Sequence, residues 1–204
     1  MNASQRCAWE KKYATQGVLW ARTHDDWFRV NETDRVLDLG SGSGKSTRSL
    51  KGDVTALDFS LSALRTAVGS PAGPTNGVCG EATVLPFKDS VFDFVRASFI
   101  LDHLSDSERR IAVDEMHRVI RRGGRVAIES FSISDARCTM GSVDDKGDSI
   151  DGDGIAHHYF VKDEVASLLT GFEIDILKEI NWEQRIGSGE KMERSIIRAI
   201  AMKK

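Results

Sequence analysis

Asp38, Gly40, Gly42 and Gly44 stand at alternate positions in the run VLDLGSGSGKST, and a second acid, Asp58, closes the next apolar stretch, Val54 to Leu57. Glycines at that spacing let a backbone turn tightly and approach a ligand closely, and a carboxylate at a strand end accepts hydrogen bonds from hydroxyl groups. The chemistry implied is recognition of a nucleotide-like cofactor. Two phosphate-binding patterns fail on spacing. A P-loop has four residues between its first glycine and the Gly-Lys pair, whereas Gly40 to Gly44 leaves three and Leu39 stands where that glycine belongs. G-x-G-x-x-G fails as well, because Gly42 is followed by Gly44 and Thr47 occupies the place of a later glycine. What remains is D-x-G-x-G-x-G from Asp38 to Gly44.

Three histidines have the residue type for proton transfer: His103, His157 and His158. Before the last two lies an acidic stretch with Asp144, Asp145, Asp148, Asp151 and Asp153 among glycines and serines. A calcium loop of the EF-hand type is excluded, since no register places acids at the required alternate positions with glutamate at the twelfth. No metal site is expected, and the stretch reads as an acidic lid favouring cationic or amine-bearing substrates. At the other end, Trp9, Tyr13, Trp20 and Trp27 concentrate aromatic surface, with Trp9 and Tyr13 on one helical face. An aromatic face packs a core, and it also attracts a methyl-bearing cation.

The elements that must position these residues alternate strand, helix, strand, helix, which predicts an α/β fold with a parallel sheet. Val36, Leu37 and Leu39 suit a strand covered on both faces. A brief helix is expected near Lys45 to Leu50, then a strand to Asp58, a helix capped by Ser60 with Leu61, Leu64 and Val68 inward, and a third strand at Val78-Cys79-Gly80. Phe92 to Phe99 reads as a buried strand. Ser105-x-x-Glu108 is a capping box opening a helix from Ser107 to Ile120, with Ala112, Met116, Val119 and Ile120 inward and Gly123-Gly124 ending it. A strand from Arg125 to Ser130 and a helix from Lys162 to Leu169 follow. Phe172, Ile174 and Ile176 alternate as a strand, Trp182 to Glu193 reads as a charged loop, and Ser195 to Met202 forms the last strand, giving an antiparallel hairpin at the sheet edge.

A chain of 204 residues with net charge -3 is most simply one folded unit with no global attraction for nucleic acid or anionic lipid. The three cysteines, Cys7, Cys79 and Cys138, form no C-x-x-C pair, so the cytoplasm is the expected compartment. No run approaches the ~18 apolar residues of a membrane span. The arginines 109, 110, 118, 121, 122 and 125 could form an RNA-phosphate footprint, but cations at a helix end also complement its dipole, and a solvated face is the favoured reading.

Taken in order, D-x-G-x-G-x-G, Asp58, GEATVLPFKDSVFDFVRASFILDHLS, R-x-x-R-x-G-G and HHYFVKDEVASLLTGFEI resemble the motifs of the class I S-adenosylmethionine-dependent methyltransferases of the type 11-like group, over about residues 30 to 200. The resemblance implies a doubly wound, Rossmann-like, mostly parallel seven-stranded sheet of order 3-2-1-4-5-7-6 with strand 7 antiparallel. It implies a helical lid segment over residues 1–30 before a single domain over 31–204. It places Asp38, Gly40, Ser41 and Gly42 around the methionine part of the cofactor, Asp58 and Phe59 at the ribose, and Glu81 with the Ala82 N–H at the adenine. Glu81 departs from the family's usual aspartate. Ser98, Phe99 and His103 are then near the reacting methyl, with Tyr13, Trp20, Phe99 and Phe131 as substrate-pocket residues. The implied reaction is in-line transfer of the sulfonium methyl to a small-molecule acceptor, releasing S-adenosylhomocysteine. A tRNA-modifying enzyme on the same core and a non-catalytic cofactor-binding regulatory subunit are the alternatives, and oligomeric state is not readable from these residues.

Overall fold

The computed structural model describes residues 1, 3–16, 27–70, 73–74, 76–140, 147–185 and 189–204. Its centre is β1 (Arg35–Leu39), whose Val36, Leu37 and Leu39 are fully buried. Being covered on both faces, β1 pairs in parallel with β2 (Asp53–Asp58) on one side and β4 (Phe92–Ser98) on the other. Beyond β2 lies β3 (Asn76–Cys79), and beyond β4 lies β5 (Ile120–Phe131), both also parallel. The long strands β8 (Phe172–Arg185) and β9 (Lys191–Lys203) close the sheet as an antiparallel hairpin. The sheet has seven strands in the order β3-β2-β1-β4-β5-β9-β8, and a separate hairpin is formed by β6 (Asp148–Ile150) and β7 (Ala156–His158). With that insertion discounted, the order is the expected 3-2-1-4-5-7-6.

Helices α1 (Ala3–Gln16), α2 (Leu61–Val68), α3 (Asp106–Val119), α4 (Ala136–Met140) and α5 (Lys162–Leu168) flank the sheet. The capping box at α3 is present in full, and Ala112, Met116, Val119 and Ile120 are all completely buried. One core joins that helix face and α5 to Leu37, Leu39, Val95, Val126 and Ile128. The opposite sheet face packs Val36, Val54, Phe94, Ala127 and Ile200 against Trp27, Phe28 and Val30, with the Phe28 and Phe94 rings 5.0 Å apart. Among the described residues no helix is long and apolar enough to cross a membrane.

Five local expectations are corrected. Lys45 to Leu50 holds only a 3-10 turn, Thr47–Ser49, in which the Ser46 carbonyl takes the Ser49 N–H and also Arg96 Nη1, while the Thr47 hydroxyl donates to Asp38. In α2 the inner residues are Ala63, Leu64 and Ala67, while Leu61 and Val68 are about half exposed. Small residues face inward because a Cβ on Gly44 would lie 2.6 Å from the Ala67 Cβ, an approach that larger side chains would prevent. Helix α3 ends at Val119, before Gly123-Gly124, and the chain is already extended at Ile120. Finally, Trp182 to Glu193 is mostly strand: Lys191 Nζ bonds Glu183 at 2.6 Å, Arg194 Nη1 bonds Gln184 at 2.7 Å and Ser195 Oγ bonds Asn181 at 2.6 Å across β8 and β9. Opposite polar pairs stabilise a solvated hairpin as apolar ones stabilise a buried one. A bulge between Ile174 and Ile176 breaks the period expected of Phe172, Ile174 and Ile176, sending Phe172 and Ile176 to opposite cores.

Phe94 carries the second core, so Phe94→Ala is expected to lower unfolding free energy by about 3–5 kcal/mol, read from the midpoint of a urea titration.

Candidate functional site

The glycine turn leaves β1 at its carboxyl end, where an open parallel sheet binds ligands. Gly40 and Ser41 donate their backbone N–H groups to the Leu57 carbonyl at 2.8 and 3.1 Å, tying the turn to β2. Gly40 has φ +71°, and a Cβ there would meet Ile100 at 2.8 Å, so this position is closed to other residues. Asp38 lies beneath, buried and paired with Arg96 of β4: Arg96 Nε and Nη2 reach its two oxygens at 2.9 and 2.8 Å. Arg96 Nη1 also donates to the Ser46 carbonyl at 2.9 Å, and the Thr47 hydroxyl donates to Asp38.

Asp58, at the end of β2, accepts from the Gly42 N–H at 2.8 Å and from the Ser60 N–H at 2.9 Å. Burial, with smaller contributions from Asp38 and Glu10, outweighs those bonds and pushes its carboxyl up to about 6. Between about pH 4 and about pH 6 the folded protein therefore holds a proton that the unfolded chain has released, and stability falls as pH rises through that window.

One cavity at this edge is lined by Leu39, Gly40, Asp58, Phe59, Glu81 and Ala82, with Met1 and Ile100 at its wall. Helix α1 lies over it. Tyr13 is buried with its hydroxyl 2.6 Å from where a Gly42 Cβ would be, and its ring stacks on Trp9 at 5.6 Å. Burial, then the Asp58 charge, raises the Tyr13 phenol well above its ordinary range. Arg6 pairs with Glu81 and holds its guanidinium 5.5 Å from the Phe59 ring centroid, while Glu10 accepts from the Ser62 hydroxyl and N–H.

The expected site residues thus divide. Gly40, Asp58, Phe59, Glu81 and Ala82 line the cavity, and Asp38, Ser41 and Gly42 form the turn beside it. Tyr13 sits on the glycine turn rather than with Phe99 and Phe131, which stack on each other at 4.6 Å. The Ser98 hydroxyl donates to Glu129 at 3.1 Å. Trp20, Asp144 and Asp145 lie outside the described residues. His103 Nδ1 is 2.8 Å from the Ala156 carbonyl, so it carries the proton, and the ring sits edge-on to Trp9 and His157. Burial, and next the neighbouring His157, lowers His103 to about 4. His157 Nε2 is 3.1 Å from Asp151, whereas His158 faces away, between Asp148 at 2.6 Å and Glu164 at 2.8 Å. The described carboxylates of the acidic stretch are therefore used within the β6–β7 hairpin, and Asp153 is bonded by Lys12 of α1 at 2.8 Å.

Arg96, Asp102 and Arg137 escaped the sequence reading, and Arg109 was misplaced by it. Arg96, Asp102 and Arg109 are at most 3% exposed, and Arg137 lies against Phe131. The signal for Arg96 was an arginine in the middle of an apolar strand, FVRASF. Arg109, expected on a solvated face, is buried near Asp148, Glu164 and the Phe160 ring. Among the described residues no three metal-ligating side chains are grouped.

Because ionised Asp58 opposes folding, Asp58→Asn is expected to raise the thermal midpoint above pH 7 by roughly 2–4 °C, about 1 kcal/mol for this size, with the gap closing toward pH 4 in melts run at both pH values.

Comparison with known proteins gives these features a common setting. Residues 37–128 match the family described as a methyltransferase domain. A demethylmenaquinone methyltransferase from Mycolicibacterium vanbaalenii is 39% identical over 120 residues, which are 57% of this chain and 50% of the relative, so the chain spans about half the length of the curated relatives it matches. A SAM-dependent methyltransferase from Methanosarcina mazei superposes with a TM-score of 0.66 at 26% identity, over 85% of this chain and 94% of that one. A Burkholderia thailandensis 1,6-didemethyltoxoflavin-N1-methyltransferase, solved with 1,6-didemethyltoxoflavin and S-adenosylhomocysteine, shares the fold at 20% identity with a TM-score of 0.62, over 98% and 78% of the two chains. Motif order, strand order and the match over residues 37–128 agree in one respect: the chain has the Rossmann-like fold of the SAM-dependent methyltransferases it resembles.

Proposed function

We propose that the protein transfers the methyl group of S-adenosylmethionine to a small-molecule acceptor and releases S-adenosylhomocysteine. The observation that carries this reading is the convergence of the glycine turn, Asp58, Phe59, Glu81 and Ala82 on one cavity at the carboxyl edge of the sheet. In this reading Asp58 accepts from the ribose hydroxyls, Glu81 and the Ala82 N–H face the adenine, and Gly40, Ser41 and Gly42 receive the methionine part above Asp38. The acceptor's electron pair forms the new bond to the methyl carbon as the carbon–sulfur bond breaks, and the departing electrons neutralise the sulfonium. The protein's contribution is alignment, worth up to roughly 7–11 kcal/mol where reacting atoms are well placed.

A small acceptor is favoured over RNA by what the arginines do. Arg109 is buried, Arg118 is bound to Glu115 and Asp89, Arg121 to Asp93, and Arg110 to Asp106. Cations engaged in this way offer little to a phosphate backbone. Relatives named demethylmenaquinone methyltransferases support a small acceptor as well.

Calorimetric titration with S-adenosylhomocysteine tests the cofactor assignment. Wild type is expected to bind saturably and Asp58→Ala at least tenfold more weakly, since a hydrogen bond to a charged group contributes about 1.5–3 kcal/mol. Binding unaffected by Asp58→Ala would refute the assignment. Arg6→Ala is expected to tighten binding by up to about fivefold, because the Arg6–Glu81 pair that must open is a partly exposed ion pair worth about 0.2–1 kcal/mol. Binding without methyl transfer to any acceptor would instead identify a regulatory subunit.

A further inference from the structure

The Phe99–Phe131 stack has a cation against it. Arg137 of α4 places its guanidinium carbon 4.0 Å from the Phe131 ring centroid. Asp135 fixes that placement, its Oδ1 accepting from Arg137 Nε at 2.9 Å and from the Arg137 backbone N–H at 3.0 Å. Asp135 is completely buried, and its Oδ2 is anchored to β9 by Arg194 Nε at 2.9 Å and the Ser195 N–H at 3.1 Å. The guanidinium is therefore held by the sheet and is pre-set in orientation.

Part of this constellation is left unsatisfied. Arg137 Nη2 is buried and has no hydrogen-bond partner among the described residues. The same is true of Asp102 Oδ2, on a carboxyl whose Oδ1 takes the Phe131 N–H at 2.7 Å. A buried polar group without a partner costs about 1–3 kcal/mol, more when charged, and such a cost is tolerated where a ligand removes it. The position is apt for an acceptor. Phe99 directly follows β4, and the next residue, Ile100, rests against Gly40 of the glycine turn. Arg137, Phe131 and Phe99 thus form a continuous path from a cation to the cofactor edge.

Charge narrows the ligand further, given the methyl-transfer reading on which this inference rests. A sulfonium and a guanidinium facing one site from two sides repel each other in a water-poor medium, and an anion between them is attracted by both. Meanwhile the imidazole nearest the cofactor edge is a poor proton acceptor: His103 is buried, its Nδ1 is bonded to Ala156, and burial lowers it to about 4. An acceptor that arrives already ionised needs no base.

We propose that Arg137 is a specificity-determining residue that holds the acceptor as a planar aromatic oxyanion, a phenolate or enolate at the edge of the Phe99–Phe131 stack with its oxygen on the Arg137 Nη2–H. The proton is lost to solvent before transfer. The anion's electron pair forms the bond to the methyl carbon, the carbon–sulfur electrons return to sulfur, and one anion and one sulfonium become two neutral products. The methylated product has no charge for Arg137 to hold, which favours its release.

The test uses 4-nitrophenol, whose phenolate is coloured, with the intact chain saturated by S-adenosylhomocysteine. Bound to wild type, the phenol is expected to titrate about one to two pH units lower than free in buffer, the shift an opposite charge at close range produces. Arg137→Gln should abolish the shift, and Arg137→Lys should keep part of it, since lysine supplies the charge without the fork. Unchanged S-adenosylhomocysteine affinity and circular dichroism in both variants exclude misfolding as the cause. A wild-type phenol that does not bind or does not shift, or a shift that persists in Arg137→Gln, overturns the inference. Failure of wild type to bind S-adenosylhomocysteine overturns the methyl-transfer reading instead.

Discussion

The glycine turn depends on the buried ion pair between Asp38 and Arg96. The two residues are direct neighbours in the β1–β4 ladder, and both are nearly inaccessible to water. Taking two charges out of water costs several kcal/mol per ion, and this is offset only when geometry is good and the remaining donors and acceptors are used. Here the pair is bidentate, the Thr47 hydroxyl serves the carboxylate, and the Ser46 carbonyl takes the third guanidinium nitrogen. These last two contacts matter most for the site. Only a 3-10 turn follows the glycines, so the chain from Gly40 to Leu50 lacks the hydrogen-bond ladder of a helix to hold its shape. The ion pair supplies that restraint from below, and the two N–H bonds to Leu57 supply it from β2.

Above the turn, α1 is held by many contacts of modest strength. Burying Trp9 and Tyr13 contributes roughly 1.5–3 kcal/mol each, whereas the Arg6–Glu81 and Lys12–Asp153 pairs are partly exposed and contribute less. The same helix touches both halves of the site. Tyr13 covers Gly42, and Trp9 meets His103, which in turn meets His157 of the β6–β7 hairpin. Displacement of α1 from the cavity therefore also alters the packing of the β6–β7 hairpin.

The central strands were legible because burial on both faces leaves a sequence mark: VLDL and FDFV are apolar runs of strand length, and Ser105 with Glu108 announces the start of α3, whereas the strand order came from the resemblance of the motifs alone. Asp58 and Glu81 were legible as acids just beyond strands, and both line the cavity. What could not be read was pairing at a distance. Nothing local tells that Arg96 meets Asp38, 58 residues away, or that Arg109 turns inward while Arg110 stays exposed. The charged hairpin from Trp182 to Glu193 failed for a related reason, since its stability comes from cross-strand polar pairs while its composition is that of a loop. Likewise Leu61 and Val68 had the right period to face inward, but Gly44 admits only the alanine side of α2.

The buried ionisable groups around the cavity share one tendency. Burial raises Asp58 to about 6, raises Asp102 well above the usual carboxylate range, raises Tyr13, and lowers His103 to about 4, so in every case the uncharged form is favoured. The cleft then carries little net charge of its own beyond the compensated Asp38–Arg96 and Arg6–Glu81 pairs. Ligands then set its electrostatics. Hydroxyl donors arriving at Asp58 favour its ionised form, so their binding and proton release are coupled, and a proton on Asp58 competes with them below about pH 6. Beside Phe131 the Asp135-tethered Arg137 introduces a fixed positive charge. Under the proposed methyl transfer, a cationic donor on one side and this guanidinium on the other favour an anionic acceptor, and transfer removes that charge together with the donor's.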